Sequence, residues 1–480
     1  VEITSPSPSS APVVSKPILS PKLRSALILT GIAALLVLLT YWGGTPATGP
    51  KLYLGIGLLV VLALSFGPLV WWLYLSPLPG VTVQPQPITA RTATIRQLVV
   101  VVLILAGTMM SIGGLWDQVW HQVFGGFGSD FLWPPHFLLY ASIGLQALTA
   151  LAGLIAVARG QGGLRERFRR EPLLGLIAIA GTYLVVSIPS DEIWHRLYGL
   201  DLTGWSLPHI LLGVMIHLVL LSAIAMQLSL TPRRAWQTLR GIRWQEFVAV
   251  LPLIWGMTVF IQLFTVDWEA NSRIGAVADN YDVYFFNRPE WLYPVVLVVL
   301  GLYLANLILH ASRRAGTATI VGVLALVFRA GVYNMLMGRA PQIDMGMLPY
   351  LVILPGMLVL DVWYAWRRVK AEENTTLVGG NALASVVMLI IGLPLIAAVA
   401  AYPRVNAATV PWMIVFSLLM GQVGGWAGAS VGRWLGNIGG HIEEEMPVQR
   451  WLAWASATAL VIALAVIFLY IRYAPPPTPS

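Results

Sequence analysis

Apolar runs of roughly 18 to 25 residues recur along the whole chain, and a run of that length is what a helix needs to cross the hydrocarbon core of a bilayer. They fall near 25–43, 52–75, 97–116, 136–158, 172–190, 208–229, 246–266, 291–310, 317–338, 346–366, 378–401, 410–430 and 451–472. With 57% of 480 residues hydrophobic and 10% charged, lipid rather than water is the solvent for most of the chain. The expected fold is therefore an all-α, polytopic integral membrane bundle of about thirteen spans.

The net charge of +8 raises the question of a nucleic-acid partner. The positions of the basic residues answer it. Most Lys and Arg lie in alternate connections, SPLPGVTVQPQPITARTATIR, RGQGGLRERFRREP, TPRRAWQTLRGIRW, ASRRAGT, RRVKAEEN and RWLGNIGGHIEEEMPVQR, together with Lys22 and Arg24. By the positive-inside rule these connections and the N-terminus are cytoplasmic, and YAPPPTPS at the C-terminus lies outside. The charge serves topology, and no nucleic-acid partner is expected. Residues 1–24, rich in Ser and Pro, read as a disordered cytoplasmic tail. The run after them lacks an A-x-A-like cleavage site and is expected to remain as an anchor. The domain reading is a six-span unit over 25–245, a seven-span unit over 246–472 and an extracytoplasmic tail over 473–480.

This orientation sets one repeated pattern on the outer side. WDQVWHQVFGGFGSDFLWPPH (116–136) and SDEIWHRLYGLDLTGWSLPH (190–209) share Asp117 and Asp191, Trp120 and Trp194, His121 and His195, an aromatic followed by Gly, and a closing Pro-His. An Asp and a His four apart lie on one helical face about 6 Å apart along the axis. Pro135 and Pro208 suit a first helical turn, which brings His136 and His209 to the head of the returning helix. One carboxylate and two imidazoles would then converge at the outer boundary. That donor set suits copper, zinc, iron or manganese. Four of the seven histidines belong to the two motifs. Cysteine is absent, which excludes thiolate, iron–sulfur and c-type haem sites.

The pair of motifs resembles the C subunit of the particulate methane and ammonia monooxygenases, a copper-dependent membrane family that carries Asp-x3-His-x12-His and Asn-x3-His-x13-His. Here the spacings are Asp-x3-His-x14-His and Asp-x3-His-x13-His, over roughly residues 97–230. The resemblance implies metal ligands Asp117, His121 and His136 at one site and Asp191, His195 and His209 at the other, with copper as cofactor and zinc as an alternative occupant. It implies an oxidoreductase acting on a small apolar or ammonia-like substrate, in a multisubunit inner-membrane complex. Partners would be other membrane subunits and a soluble copper-binding subunit, with electrons from a quinol or a partner protein. Asp191 stands where the family has an amide, adding a negative charge to the second site. The seven spans after residue 245 equal the number in the family's A subunit. A metal-handling transporter and a metal-stabilised structural subunit of a respiratory complex are the other two readings.

Elsewhere, the outer loop 267–291 holds Asp267, Glu269, Asp279 and Asp282, as a solvated acidic loop or a cap over the sites. Arg329 falls near the middle of its span, where a lone charge costs at least about 2.5 kcal/mol; Gln262, Asn306 and Asn334 are candidate partners. His217, two turns beyond His209, is a core histidine or a relay to the outer site. His310 and His441 belong to the opposite side. Gly421, Gly424, Gly428 and Gly432 share one helix face and mark close packing.

Overall fold

A computed structural model of the protein describes residues 49–78, 87–124, 133–198, 205, 207–231, 244–269, 288–337, 346–367, 374–400, 402–442 and 447–474. The expected tail 1–24, the expected span 25–43 and residues 270–287 of the expected outer loop lie outside them. No β-strand occurs among the described residues. The helices are α1 (Pro50–Val70, continued by a π turn Trp71–Leu75), α2 (Ala90–Phe124), α3 (Pro134–Ala158), α4 (Leu164–Arg170), α5 (Pro172–Tyr198), α6 (Leu207–Ser229) and α7 (Trp244–Glu269). They continue as α8 (Leu292–Ser312), α9 (Thr317–Met337), α10 (Leu348–Trp366), α11 (Asn374–Val399), α12 (Val410–Ile438) and α13 (Pro447–Tyr473). Among the described residues, nine helices are long and apolar enough to cross a membrane, or ten if α4 and α5 make one broken span. This is the architecture of a multi-pass membrane protein.

Two departures from the sequence reading bear on the site. Helix α2 runs past its apolar stretch at both ends, so the first Asp-x3-His motif lies inside a continuous helix. The basic stretch read as a connection contains α4, which meets α5 at 111°. One apolar residue, Phe168, anchors α4. Its Arg165 donates to Trp72 O at 2.9 Å and Arg169 to Leu73 O at 2.8 Å. These guanidiniums satisfy carbonyls that the end of α1 would otherwise leave open.

Helices α8 and α12 form the most extensive pair. A Cβ on Gly428 would stand 2.1 Å from Tyr303 O, and one on Gly432 would stand 2.5 Å from Leu307 O. Only glycine lets the two backbones approach so closely. Asp361 of α10 caps the start of α9, accepting from the Gly316 and Thr319 amides at 2.5 and 2.6 Å and from Thr319 Oγ1 at 2.5 Å. Helix α7 packs on α2, α6 and α9, while α13 returns to lie on α2.

A buried clasp fixes which helices run together. Arg96, near the start of α2, donates from NH1 to Ser229 Oγ and to Gly439 O, both at 2.8 Å, and lies 3.8 Å from Glu171. The start of α2 thus meets the ends of α6 and α12. Ile442 N donates to Ser229 O at 3.2 Å in the same place. At the opposite end the Arg288 guanidinium, just before α8, lies 4.3 Å from the ring centre of Trp205, just before α6. Helices α6, α8 and α12 therefore run parallel, and α2 runs against them.

Candidate functional site

Both Asp-x3-His stretches lie on helices, α2 described as far as Phe124 and α5 as far as Tyr198, the aligned aromatic in each repeat; the residues just beyond lie outside the described ones. The returning helices α3 and α6 begin at Pro134 and Leu207, each two residues before the closing histidine. As expected, proline occupies the first turn in both: its missing N–H falls where a helix has no internal acceptor to offer. Trp133 is the extended residue before α3, and His136 N donates to Trp133 O at 3.0 Å. Because α2 opposes α6, the Asp117 end of α2 and the His209 end of α6 lie at one end of the bundle.

At the first motif, His136 Nε2 lies 2.8 Å from Asp117 Oδ1, and the two side chains retain 16% and 22% exposure. A carboxylate and an imidazole from consecutive helices thus meet at a partly open position. The sequence spacing alone would have allowed them to miss each other. The side chain of His121, and those of Asp191 and His195 in the second motif, lie outside the described residues. His209 is half-buried. Among the described residues no group of three or more His, Cys, Asp or Glu is placed to hold a metal ion.

The surroundings of the Asp117–His136 pair are aromatic. Trp116, 1% exposed, meets Trp120 edge-on at 5.2 Å between ring centres, and Trp120 meets Trp133 at 5.9 Å. Tyr140, one turn beyond His136, lies 5.8 Å from its ring. Two contributors come from segments far away in sequence. Tyr470 of α13 packs on Trp116 at 5.7 Å and donates its hydroxyl to Pro134 O at 3.2 Å. Gln262 of α7 directs its amide nitrogen to Gln118 Oε1 at 3.5 Å, beside Asp117. Neither residue carries a sequence signal for this place: Tyr470 belongs to the last apolar run with nothing to single it out, and Gln262 reads as a partner for Arg329.

The second motif is covered differently. Trp205 in its connector is 2% exposed and meets Trp268 of α7 at 5.3 Å. The Arg288 guanidinium lies 4.3 Å from the Trp205 ring centre and 4.9 Å from that of Trp268. Tyr402 donates its hydroxyl to the Arg288 carbonyl. Arg288 shares its loop with Arg273, and nothing in the sequence marks either of them for this cage.

Compared with known proteins, the chain matches no family model, no curated protein and no solved structure.

Proposed function

We propose that the chain is the membrane subunit of a copper-dependent, monooxygenase-like oxidoreductase. It carries two sites, Asp117–His121–His136 and Asp191–His195–His209, at the extracytoplasmic end of a thirteen-span bundle with a cytoplasmic N-terminus. The observation that carries this reading is the 2.8 Å approach of His136 Nε2 to Asp117 Oδ1 across two helices. It is supported by the repeat of the pattern in the second motif, where Asp191 and His195 likewise fall on one helix, α5.

Two imidazoles and a carboxylate would suit copper, with zinc as an alternative occupant. At 2.8 Å His136 and Asp117 are within direct hydrogen-bond distance of each other. When bound, the ion supplies a redox-active centre for oxygen. Asp117 contributes negative charge and orients the His136 ring. Trp116, Trp120, Trp133 and Tyr470 restrict water at the site. The substrate is a small apolar or ammonia-like molecule, electrons come from a quinol or a partner protein, and a soluble copper-binding subunit completes the outer face.

The test is metal content. The purified chain, loaded with copper and freed of excess, is expected to hold two equivalents. His121→Ala and His195→Ala should each lose about one, since each removes a ligand from a separate site. Unchanged content in both variants ends the reading. Oxygen consumption with small candidate substrates then separates an oxidase from a metal carrier.

A further inference from the structure

After Glu2 the chain carries no acidic residue before Asp117, and from 131 to 190 it carries two, Glu166 and Glu171. Both are committed. Glu166 lies 4.0 Å from Arg170, and Glu171 lies 3.8 Å from Arg96. Arg165 and Arg169, four positions apart on one face of α4, meet no carboxylate among the described residues. Backbone holds them instead. Arg165 donates from Nε to Trp72 O at 2.9 Å and from Nη2 to Ser76 O and Pro77 O at 2.7 and 2.9 Å. Arg169 donates from Nε to Leu73 O at 2.8 Å and from Nη2 to the same Ser76 O. In both guanidiniums Nη1 makes no bond among the described residues and is not buried.

A shared acceptor draws the two cations together. Two N–H bonds to one oxygen leave the Nη2 atoms at most about 6 Å apart, and Arg165 stands within electrostatic reach of Arg169. Carbonyl dipoles orient the pair but leave its charge uncancelled. A basic loop that only obeys the positive-inside rule gains by spreading its cations in water; this one concentrates two. The surroundings are those of a lipid headgroup. Helix α4 meets α5 at 111°, so with α5 crossing the bilayer it lies close to the membrane plane. Trp71 and Trp72, 49% and 42% exposed, stand at the end of α1 beside it, and the Arg165 guanidinium lies 5.8 Å from the Trp72 ring centre. Leu54, Val61 and Trp72, at i, i+7 and i+18, are all exposed and fall on one face of α1. An apolar stripe thus leads along that helix to the arginine pair.

We propose that Arg165 and Arg169 bind the phosphate of an anionic phospholipid whose acyl chains lie along the exposed stripe of α1. The phosphate receives charge-assisted bonds from the two Nη1 groups and supplies the negative charge that the chain does not. Trp72 joins the headgroup site to the stripe, since its ring faces Arg165 and an indole suits the boundary between water and hydrocarbon. The stripe favours a lipid over free phosphate, which has nothing to lay along it. With the cytoplasmic N-terminus proposed above, this end of the bundle faces the leaflet where anionic lipids concentrate. The site goes beyond the copper reading and rests on no part of its metal ligands.

Native mass spectrometry of the full-length protein reads the lipid bound on release from neutral detergent, with phosphatidylglycerol, phosphatidylcholine of the same chains or inorganic phosphate added. Wild type is expected to hold its first phosphatidylglycerol at least about ten-fold more tightly than phosphatidylcholine, and an excess of inorganic phosphate should not displace it. Arg165→Gln and Arg169→Gln should each weaken that lipid about five-fold. Arg159→Gln removes an exposed cation at the end of α3 and should bind as wild type does. Equal retention of the two lipids by wild type overturns the site, and so does displacement by phosphate. A loss in Arg159→Gln equal to that in Arg165→Gln also overturns it, because net charge alone would then decide. Both arginines also cap α1, so a second measurement leaves them in place: phenylglyoxal labelling of wild type in nanodiscs, located by peptide mapping. Labelling of Arg165 and Arg169 should fall about five-fold in phosphatidylglycerol relative to phosphatidylcholine, with Arg159 changed less. Equal labelling in the two lipids, or an equal fall at Arg159, overturns the site as well.

Discussion

The hydroxyl of Tyr470, three residues before the end of the last described helix, donates to the carbonyl of Pro134, the first residue of α3. Tyr470 also packs edge-on against Trp116. It therefore braces both helices of the Asp117–His136 pair from a third. Tyr470→Phe removes only the hydrogen bond and should destabilise the protein by about 1 kcal/mol. Tyr470→Ala removes the ring as well and should cost about 3 kcal/mol, with weaker copper binding. Thermal unfolding in detergent, followed by tryptophan emission, orders the two variants. Equal effects would mean that the ring packing contributes nothing.

Asp117 offers the only described carboxylate in contact with His136. Asp117→Asn keeps its size and removes its charge, so any role in holding a cation is lost while packing is kept. Copper affinity at the first site should fall by at least about ten-fold, the second site should be unaffected, and the melting temperature of the metal-free protein should change little. Competition with a chelator of known affinity measures the first two quantities. A loss of metal-free stability without a change in affinity would make Asp117 a structural partner of His136.

Much of this fold is written locally. Long apolar runs announce helices because their length and composition are set by the bilayer, and Pro135 and Pro208 announce first turns because proline lacks an N–H. A described helix stands at each expected position apart from 25–43. Contacts between distant segments are not legible in this way. Nothing near Tyr470 points to Pro134, and nothing in α7 points Gln262 toward Gln118. Asn306, one of three amides expected to serve Arg329, instead bonds Asn381, Leu302 and Tyr364. Helix α4 carries little apolar signal, because a single buried Phe168 anchors it and all its other residues but the exposed Leu164 are charged. His310 lies at the opposite end of the bundle from Asp117 and His209, as its neighbours Arg313 and Arg314 suggest, yet its bond to Tyr364 depends on a residue 54 positions away.

The glycines of α12 separate into those that touch a backbone and those that do not, and the distinction is testable against a glycine elsewhere. Gly428→Ala places a methyl group on the Tyr303 carbonyl and should push α12 off α8, lowering stability by about 3 kcal/mol or preventing folding. Gly331→Ala, on α9 with nothing within 4 Å of the added carbon, should be neutral or stabilising by up to about 1 kcal/mol. Thermal unfolding of both variants checks the pair. A tolerated Gly428→Ala would show that the α8–α12 approach is looser than described.

Arg288 closes the N-terminal end of α6 by lying against two indoles, Trp205 and Trp268, at 3% exposure. A planar guanidinium can stack on both rings, whereas an ammonium is a point charge that prefers water. Arg288→Lys should therefore behave much like Arg288→Ala. Each should destabilise by about 2 kcal/mol and shift tryptophan emission to longer wavelength as Trp205 and Trp268 gain solvent. Trp205 lies four residues before His209, so the second site should respond too: copper affinity there should fall while the first site is unchanged. Emission spectra and site-resolved copper titration of the two variants provide the check. If Arg288→Lys retains wild-type emission and affinity, the contact is a simple charge effect and stacking is irrelevant to how the second connector is held.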